Sequence, residues 1–288
     1  PPPTTPLAAA SDVYKRQTGS IAANTLLTVA QANSSGTVDA SNAGTITGTA
    51  QQITDAYADS TITEAGNVAL TVNSGTASLA QARSLDGLTT GVVTATIADT
   101  VVSDLLGSAP LLDANSNNAF TITIGTDDAS VSAANLNSLD ALTTVAINAG
   151  NVTTITSSTL DSINTLYASS GFSGLGDQAI TASDTGSIAA STITTVATAN
   201  SSGTLSVSAA ATITGTAAEI IAAFADSTVT EASNVALTVN SGTATLAQAR
   251  SLDGLTTGVV TATIADTVVS DLLGSAPLLD ANSNNAFT

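Results

Sequence analysis

Residues 68–81 read VALTVNSGTASLAQ, and this stretch decides the fold. Apolar side chains alternate with small ones from Val68 to Val72, and this period of two predicts a β-strand with one buried face. A turn rich in Asn, Ser and Gly follows. Ser78 and Gln81 then give the Ser-x-x-Gln pattern of a capping box, which predicts the start of a helix. The stretch therefore predicts a strand, a turn and a helix in succession.

The same pattern recurs along the chain. The segment from Asn67 to Thr121 reappears as Asn234 to Thr288, and the only change replaces one good helix N-cap, Ser78, by another, Thr245. Within the 167-residue period we identify six repeat units, which begin at Val68, Val92, Ala119, Val145, Ala179 and Thr204 and have lengths of 24, 27, 26, 34, 25 and 31. The second copy stops in mid-unit, so we expect the native protein to carry more repeats.

Apolar residues three and four apart predict a helix in five of the six repeat units. These residues are Leu79/Leu85/Leu88, Leu105/Leu106, Leu136/Leu139/Leu142, Leu160/Ile163/Leu166 and Ile220/Ile221/Phe224. Further capping-box patterns occur at Thr49/Gln52, Thr216/Glu219 and Thr245/Gln248. The exception is the repeat unit at Ala179. Its later half, Ser191 to Thr198, is rich in Thr and Val and allows a second strand instead of a helix.

The length of the connections indicates the fold class. Parallel strands need a crossover of about a dozen residues or more, and each repeat unit is long enough to supply one. A single repeat unit has too few apolar side chains to fold alone, so neighbours must share a core, as in a solenoid. We therefore predict that residues 18–288 form an α/β, parallel strand-plus-helix solenoid of the leucine-rich-repeat type. The alternative is an all-β parallel β-helix.

Composition excludes most kinds of site chemistry. The chain has no Cys, Met, Trp or His, which excludes a catalytic imidazole, a thiol nucleophile, a Cys/His zinc site and disulfides. Its 22 acidic and 4 basic residues give a net charge of -18. Such a surface repels nucleic acid and anionic membranes. No apolar run reaches the roughly 18 residues of a spanning helix. We expect no enzymatic activity, no nucleic-acid partner and no membrane insertion.

Asn and Asp residues follow the predicted strands. In a solenoid they stack about 4.8 Å apart along one edge. One interpretation is Asx turns that hydrogen-bond the local backbone. The other is weak calcium binding between adjacent repeat units by carboxylate and carbonyl oxygens, which makes calcium the one cofactor that the sequence suggests. The carboxylates that we assign to this metal site are Asp99, Asp127, Asp128 and Asp184.

Residues 171–177, GFSGLGD, resemble a single calcium-binding nonapeptide of the RTX type, although the leading Gly-Gly and the repeated Asp are missing. The alternative is a flexible insertion, which also explains the length of the fourth repeat unit. No Lys follows the glycines, so a nucleotide-binding loop is excluded.

Two sets of surface residues have both an ordinary and a functional interpretation. Outward strand positions are small and hydroxylated, as at Thr94, Thr96, Thr121 and Thr123. A flat Thr ladder binds ice or a glycan by matching its spacing, whereas the ordinary explanation is the strand propensity of Thr. The helices carry one acid per repeat unit, which we interpret as a solvated face: Asp86, Asp104, Asp140, Asp161 and Asp226.

Residues 84–97, SLDGLTTGVVTATI, and 211–217, ATITGTA, resemble repeat arrays in very large cell-surface, adhesin-like proteins of marine bacteria, cyanobacteria included. The resemblance covers residues 18–288. It implies an extracellular, surface-attached array that calcium stabilises. We expect the partners to be neighbouring repeats of the same chain and cell-surface glycans. Residues 11–17, SDVYKRQ, resemble translated sequencing-adaptor read-through from metagenomic reading frames, so we expect residues 1–17 to be non-native and disordered.

The sequence therefore predicts a structural spacer or adhesin stalk without catalysis. An acidic surface stays soluble in salt, and the absence of Cys avoids oxidation outside the cell. The alternative function is a ligand-binding solenoid that holds a glycan or ice on its Thr-rich strand face.

Overall fold

The structure is a computed structural model that describes residues 18–33, 36–107, 118–265, 268 and 285–288. Two compact units are present. Unit 1 contains the residues up to 127 together with 138–149 and 171–173, and unit 2 contains 128–137, 150–170 and 174–288. The adaptor-like segment predicted at residues 1–17 lies outside the described residues.

The described residues include nine helices. They are α1 (Ala23–Ala32), α2 (Ala50–Ala58), α3 (Leu79–Asp86), α4 (Val102–Leu105), α5 (Ala133–Asp140), α6 (Leu160–Ala168), α7 (Ala190–Ala199), α8 (Ala217–Ala225) and α9 (Leu246–Leu255). Four of them begin with the predicted capping box, at Thr49, Ser78, Thr216 and Thr245. In each box the hydroxyl accepts a hydrogen bond from a backbone N–H three residues later, and the Gln or Glu side chain there accepts one in return.

The strands are short, between two and five residues. They are β1 (Ser20–Ala22), β2 (Val38–Ala40), β3 (Thr45–Gly48), β4 (Ile62–Glu64), β5 (Ala69–Val72), β6 (Val93–Thr96), β7 (Ala119–Thr121), β8 (Ser130–Val131), β9 (Ile147–Asn148), β10 (Thr154–Ser158), β11 (Phe172–Ser173), β12 (Ala179–Ala182), β13 (Ser187–Ala189), β14 (Thr204–Ser206), β15 (Thr212–Gly215), β16 (Val229–Thr230), β17 (Ala236–Val239), β18 (Val260–Ala262) and β19 (Ala286–Phe287).

In unit 1 the strands pair in parallel as a five-stranded sheet, β1-β3-β5-β6-β7, and as two pairs, β2-β4 and β9-β11. Ile46 pairs in register with Ile21 on one side and Leu70 on the other, and Leu70 pairs with Val93. All four side chains are buried. Helix α2 packs between α1 and α3.

In unit 2 two five-stranded parallel sheets form, β13-β15-β17-β18-β19 and β8-β10-β12-β14-β16. The first repeats the large sheet of unit 1, because Ile188, Ile213, Leu237 and Val260 pair in the same register and are buried. Helices α6 to α9 pack consecutively against one another. Buried aliphatic side chains from the strands and the helices together form the core.

The predicted α/β class, with parallel strands that alternate with helices, is confirmed. The all-β alternative is wrong for the described residues. The second strand allowed at Ser191 to Thr198 is also wrong, because this segment lies within α7. Helix α7 buries Ile193, Val196 and Ala197, which are three and four residues apart, and this burial outweighs the strand propensity of its Thr residues.

The prediction of one strand per repeat unit is wrong in several places. Between α7 and α8 the chain makes two strands, β14 and β15, and the same holds between α8 and α9. Strand β15 and its copy β3 read Thr-Ile-Thr-Gly, in which a single apolar residue is flanked by Thr, so the alternation is too short to reveal a strand. Strands β3 and β15 form because they pair with the strands on either side of them in the sheet.

Candidate functional site

The four carboxylates predicted to bind a metal lie outside the α-helices and strands. Asp99 Oδ1 accepts a hydrogen bond from the Val101 backbone N–H at 2.9 Å, which is the predicted Asx-type contact. Asp127 and Asp128 lie in a short 3-10 helix, Thr126–Asp128. Among the described residues no three acidic side chains come together as a group that could hold a metal ion. Calcium binding at these residues stays a prediction.

Asp184 stabilises the start of a helix that lies far from it in the chain, a role that the sequence did not indicate. Its Oδ2 accepts a hydrogen bond at 2.7 Å from the backbone N–H of Leu160, the first residue of α6, 24 positions earlier in the chain. The N-terminal N–H groups of a helix lack partners within the helix, so a carboxylate there stabilises it. Ser158 plays the same role for α5, since its hydroxyl accepts from the Ala133 N–H at 2.7 Å.

A cleft of about 280 Å³ opens beside Asp184 in unit 2. It lies where the edge strand β13 approaches the first turn of α6. The lining residues are Leu160, Asp161, Asp184, Ser187, Ile188, Ala189 and Thr214.

The chemistry of this cleft is simple. Two carboxylates and two hydroxyls line it, so it suits a cation or a hydrogen-bond donor. Asp184 already accepts from Leu160, and Thr214 Oγ1 donates to the Ile188 carbonyl at 3.3 Å.

The Thr side chains of the strand face form columns in register. In unit 1 Thr47, Thr71 and Thr94 are paired on three successive strands. The corresponding column of unit 2 contains Thr214, Thr238 and Thr261. Successive strands are about 4.8 Å apart, so each column is regular. Sequence reasoning missed Thr47 and Thr214 because it missed their strands. The capping boxes that begin directly after them were the available signal.

The acidic column of the helices is only partly a solvated face. Asp86 Oδ1 accepts a hydrogen bond at 2.6 Å from Asn118 Nδ2, and Asn118 is 1% exposed. The Asn118 Oδ1 in turn accepts from the Val93 N–H at 3.2 Å. Asp253 and Asn285 repeat this contact in the second copy. For Asp86 the expectation of a solvated carboxylate is therefore wrong, because this acid is half-buried and accepts from a buried amide that in turn bonds β6.

Gln178 closes the turn that resembles an RTX nonapeptide. Its Oε1 accepts from the Gly176 N–H at 2.6 Å, and its Nε2 donates to the Val152 carbonyl at 3.0 Å and to Asp177 Oδ1 at 2.8 Å. Gly174 and Gly176 adopt φ values of 81° and 136°, which suit glycine. The Asp177 carboxylate thus has an amide partner, and the turn is built around a buried Gln.

Two half-buried glutamates have raised pKa values. Burial raises the pKa of Glu64 to about 7, and the negative charge of Asp59 adds to this. The pKa of Glu231, its counterpart in the second copy, is raised for the same reason. Burial also raises the pKa of Tyr57, with a contribution from the charge of Glu64. Sequence patterns gave no sign of these groups, because Glu64 ends a strand too short to show alternation.

No protein-family model, curated protein or solved structure matches this chain. No helix among the described residues is long and apolar enough to cross a membrane.

Proposed function

We propose that residues 18–288 are a solenoid segment of a large bacterial cell-surface protein, which acts as a spacer or adhesin stalk without catalysis. The observation that carries this proposal is the repeated register of the strands. Ala22, Thr47, Thr71, Thr94 and Ala119 form one column in unit 1. Ala189, Thr214, Thr238, Thr261 and Ala286 form the same column in unit 2. Each repeat thus extends the sheet by one strand, as each coil of a solenoid does.

The side chains that face the interior support a structural role. The inward side chains at successive coils are aliphatic and buried, and the contacts between coils include buried amides such as Asn118. A coil whose partners are the coils before and after it can be repeated to add length without a new core. The net charge of -18 and the absence of Cys suit an extracellular environment.

The spacer proposal is tested by changing the number of copies. Because Asn234 repeats Asn67, a second copy of residues 67–233 can be inserted after residue 233, and the repeat pattern then continues without interruption. We expect each inserted copy to add the same increment to the maximum dimension measured by small-angle X-ray scattering. A dimension that grows only as the cube root of the mass contradicts the proposal.

Calcium is a separate hypothesis within this proposal. Its ligands are the carboxylates Asp99, Asp127, Asp128 and Asp184 with backbone carbonyls, and half of the related turns carry Asn, so binding is weak. We expect the thermal unfolding midpoint to rise at millimolar calcium and to fall again with a chelator. A midpoint that calcium leaves unchanged counts against the hypothesis.

The Thr columns favour one alternative function, which is binding of a glycan or ice on the strand face. The expected signal is glycan-array binding or thermal hysteresis, and the doubly substituted T94Y/T261Y variant should abolish it because a bulky side chain then interrupts both columns. T63Y/T230Y is the matched control, since Thr63 and Thr230 are exposed on strands outside the sheets that carry the columns. Equal signals from the two variants rule out this surface.

A further inference from the structure

Glu64 occupies a strand position whose neighbour in the sheet is apolar. In β4, Ile62 is buried and Thr63 is exposed, so the alternation turns Glu64 back toward the interior. Its partner in register on β2 is Ala40, which is fully buried. One Glu64 oxygen, Oε1, is buried and has no hydrogen-bond partner. A carboxylate in this position is costly when it is ionised.

The second copy repeats this arrangement. Val229 is buried and Thr230 is exposed, and Glu231 follows them. The N–H of the buried Val207 on the adjacent chain segment donates to the Thr230 carbonyl at 2.9 Å, so Glu231 also adjoins an apolar position. Its Oε1 is likewise buried without a partner.

An acidic neighbour opposes the ionisation of each glutamate. Asp59 follows α2, and its Oδ1 accepts hydrogen bonds from the N–H and the hydroxyl of Thr61 at 2.9 and 2.7 Å. These bonds lower the pKa of Asp59, so this carboxylate is a fixed negative charge beside Glu64. Asp226 and Thr228 repeat both distances beside Glu231.

The other charged and titratable groups lie on the elements that pack around Glu64. The paired strand β2 carries Asp39, which lies in register with Thr63. From α2 the Tyr57 hydroxyl is buried without a hydrogen-bond partner, and the charge of Glu64 acts on it. From α3, which packs on α2, the charged side chains are Arg83 and Asp86. In the second copy Phe224 replaces Tyr57, and α9 supplies Arg250 and Asp253. Both copies therefore keep the glutamate, the neighbouring Asp and the Arg, whereas the Tyr hydroxyl is present in the first copy alone.

We propose that Glu64 and Glu231 are two matched proton switches, which hold β4 and β16 in place while protonated and loosen them once ionised. The burial that favours the neutral acid also sets the sign of the effect. A carboxyl whose folded pKa is raised contributes stability below its ordinary value of 4.5, and this contribution is lost as the pH rises through about 7 for Glu64. A fall in pH therefore stabilises β4 and β16 in the folded protein.

The chain offers a direct measurement, because Glu64, Glu219 and Glu231 are its only glutamates. Selective [5-13C]Glu labelling of the intact protein gives three carboxyl signals. We expect two of them to titrate above 4.5, with Glu64 near 7. The third, Glu219, is the internal control, because its capping-box hydrogen bonds lower its pKa. Three signals that all titrate at or below 4.5 overturn the proposal.

A second measurement tests the consequence for the fold. We expect the urea midpoint to fall between pH 5 and pH 8, and the doubly substituted E64Q/E231Q variant to lose this fall because Gln stays neutral. Amide exchange, corrected for the intrinsic rate, should increase over residues 60–66 and 227–233 in the parent protein alone. D104N is the control for charge, since Asp104 is exposed. A pH dependence that the double variant retains overturns the proposal even if the NMR titration agrees.

Discussion

At the scale of single residues, side chains from one repeat complete the hydrogen bonds of another. Asp184 and Ser158 each accept from the first N–H of a helix that lies about one repeat earlier in the chain. The Asn118 side chain also connects distant residues, because it donates to Asp86 Oδ1 and accepts from the Val93 N–H. Such contacts were not predictable from sequence, because the local patterns that reveal capping boxes join residues three apart, whereas these partners are 24 to 32 positions away.

Asp184→Ala should therefore destabilise α6 although Asp184 lies outside it. We expect a loss of about 1 kcal/mol in the free energy of unfolding, the usual cost of removing a helix N-cap. Asp184→Asn is the matched control, because its amide oxygen still accepts from Leu160, and it should lose less. Urea denaturation measures both. Equal losses from the two variants would show that the hydrogen bond to Leu160 is not what stabilises the helix.

The two copies of one capping box differ in how they respond to acid. The Thr216 backbone N–H lowers the pKa of Glu219, so its contribution is present above 4.5 and is lost as the pH falls through the lowered pKa. Gln52, in the first copy, does not titrate. We expect Glu219→Gln to remove this loss, so the urea midpoints of parent and variant should converge or cross between pH 6 and pH 3. A constant difference across this range contradicts the assignment.

At the scale of the elements, the sequence predicted most helices and half of the strands. Capping boxes and apolar spacing located α2, α3, α6, α8 and α9 correctly, because those signals lie within the helix itself. Strands β3 and β15 have one inward side chain each, and their pairing partners lie a whole repeat away in the chain. Short strands of this kind depend on neighbours that the local sequence does not show.

Close packing between successive strands is tested at a glycine. A Cβ atom at Gly91 would lie 2.5 Å from the Asn67 carbonyl oxygen and 2.6 Å from that of Val68. We expect Gly91→Ala to destabilise the protein by about 1–3 kcal/mol, because backbone atoms cannot move away as easily as a side chain. At Gly66 a Cβ atom would meet nothing within 4 Å, so Gly66→Ala is the control and should be nearly neutral. Thermal unfolding compares them, and equal midpoints would mean that the two strands are not in this register.

At the scale of the whole molecule, the 167-residue period determines what pairs with what. Its two copies pair equivalent positions: Ile21 with Ile46 corresponds to Ile188 with Ile213, and Leu70 with Val93 corresponds to Leu237 with Val260. The period, the α/β class and the parallel pairing followed from the sequence, because repetition and connection length are properties of the chain as a whole. The cleft beside Asp184 did not, since residues far apart in sequence line it.

The most direct test measures whether corresponding residues are stacked at one strand spacing per repeat. The chain has no Cys, so paired substitutions give clean attachment sites for nitroxide labels. Ala22 and Ala119 are four strands apart in unit 1, as are Ala189 and Ala286 in unit 2. Four spacings correspond to about 19 Å between the backbones. Double electron–electron resonance on A22C/A119C and A189C/A286C should give the same narrow distribution near this distance. Broad distributions at much longer distances, or two that differ, would contradict the stacking of repeats.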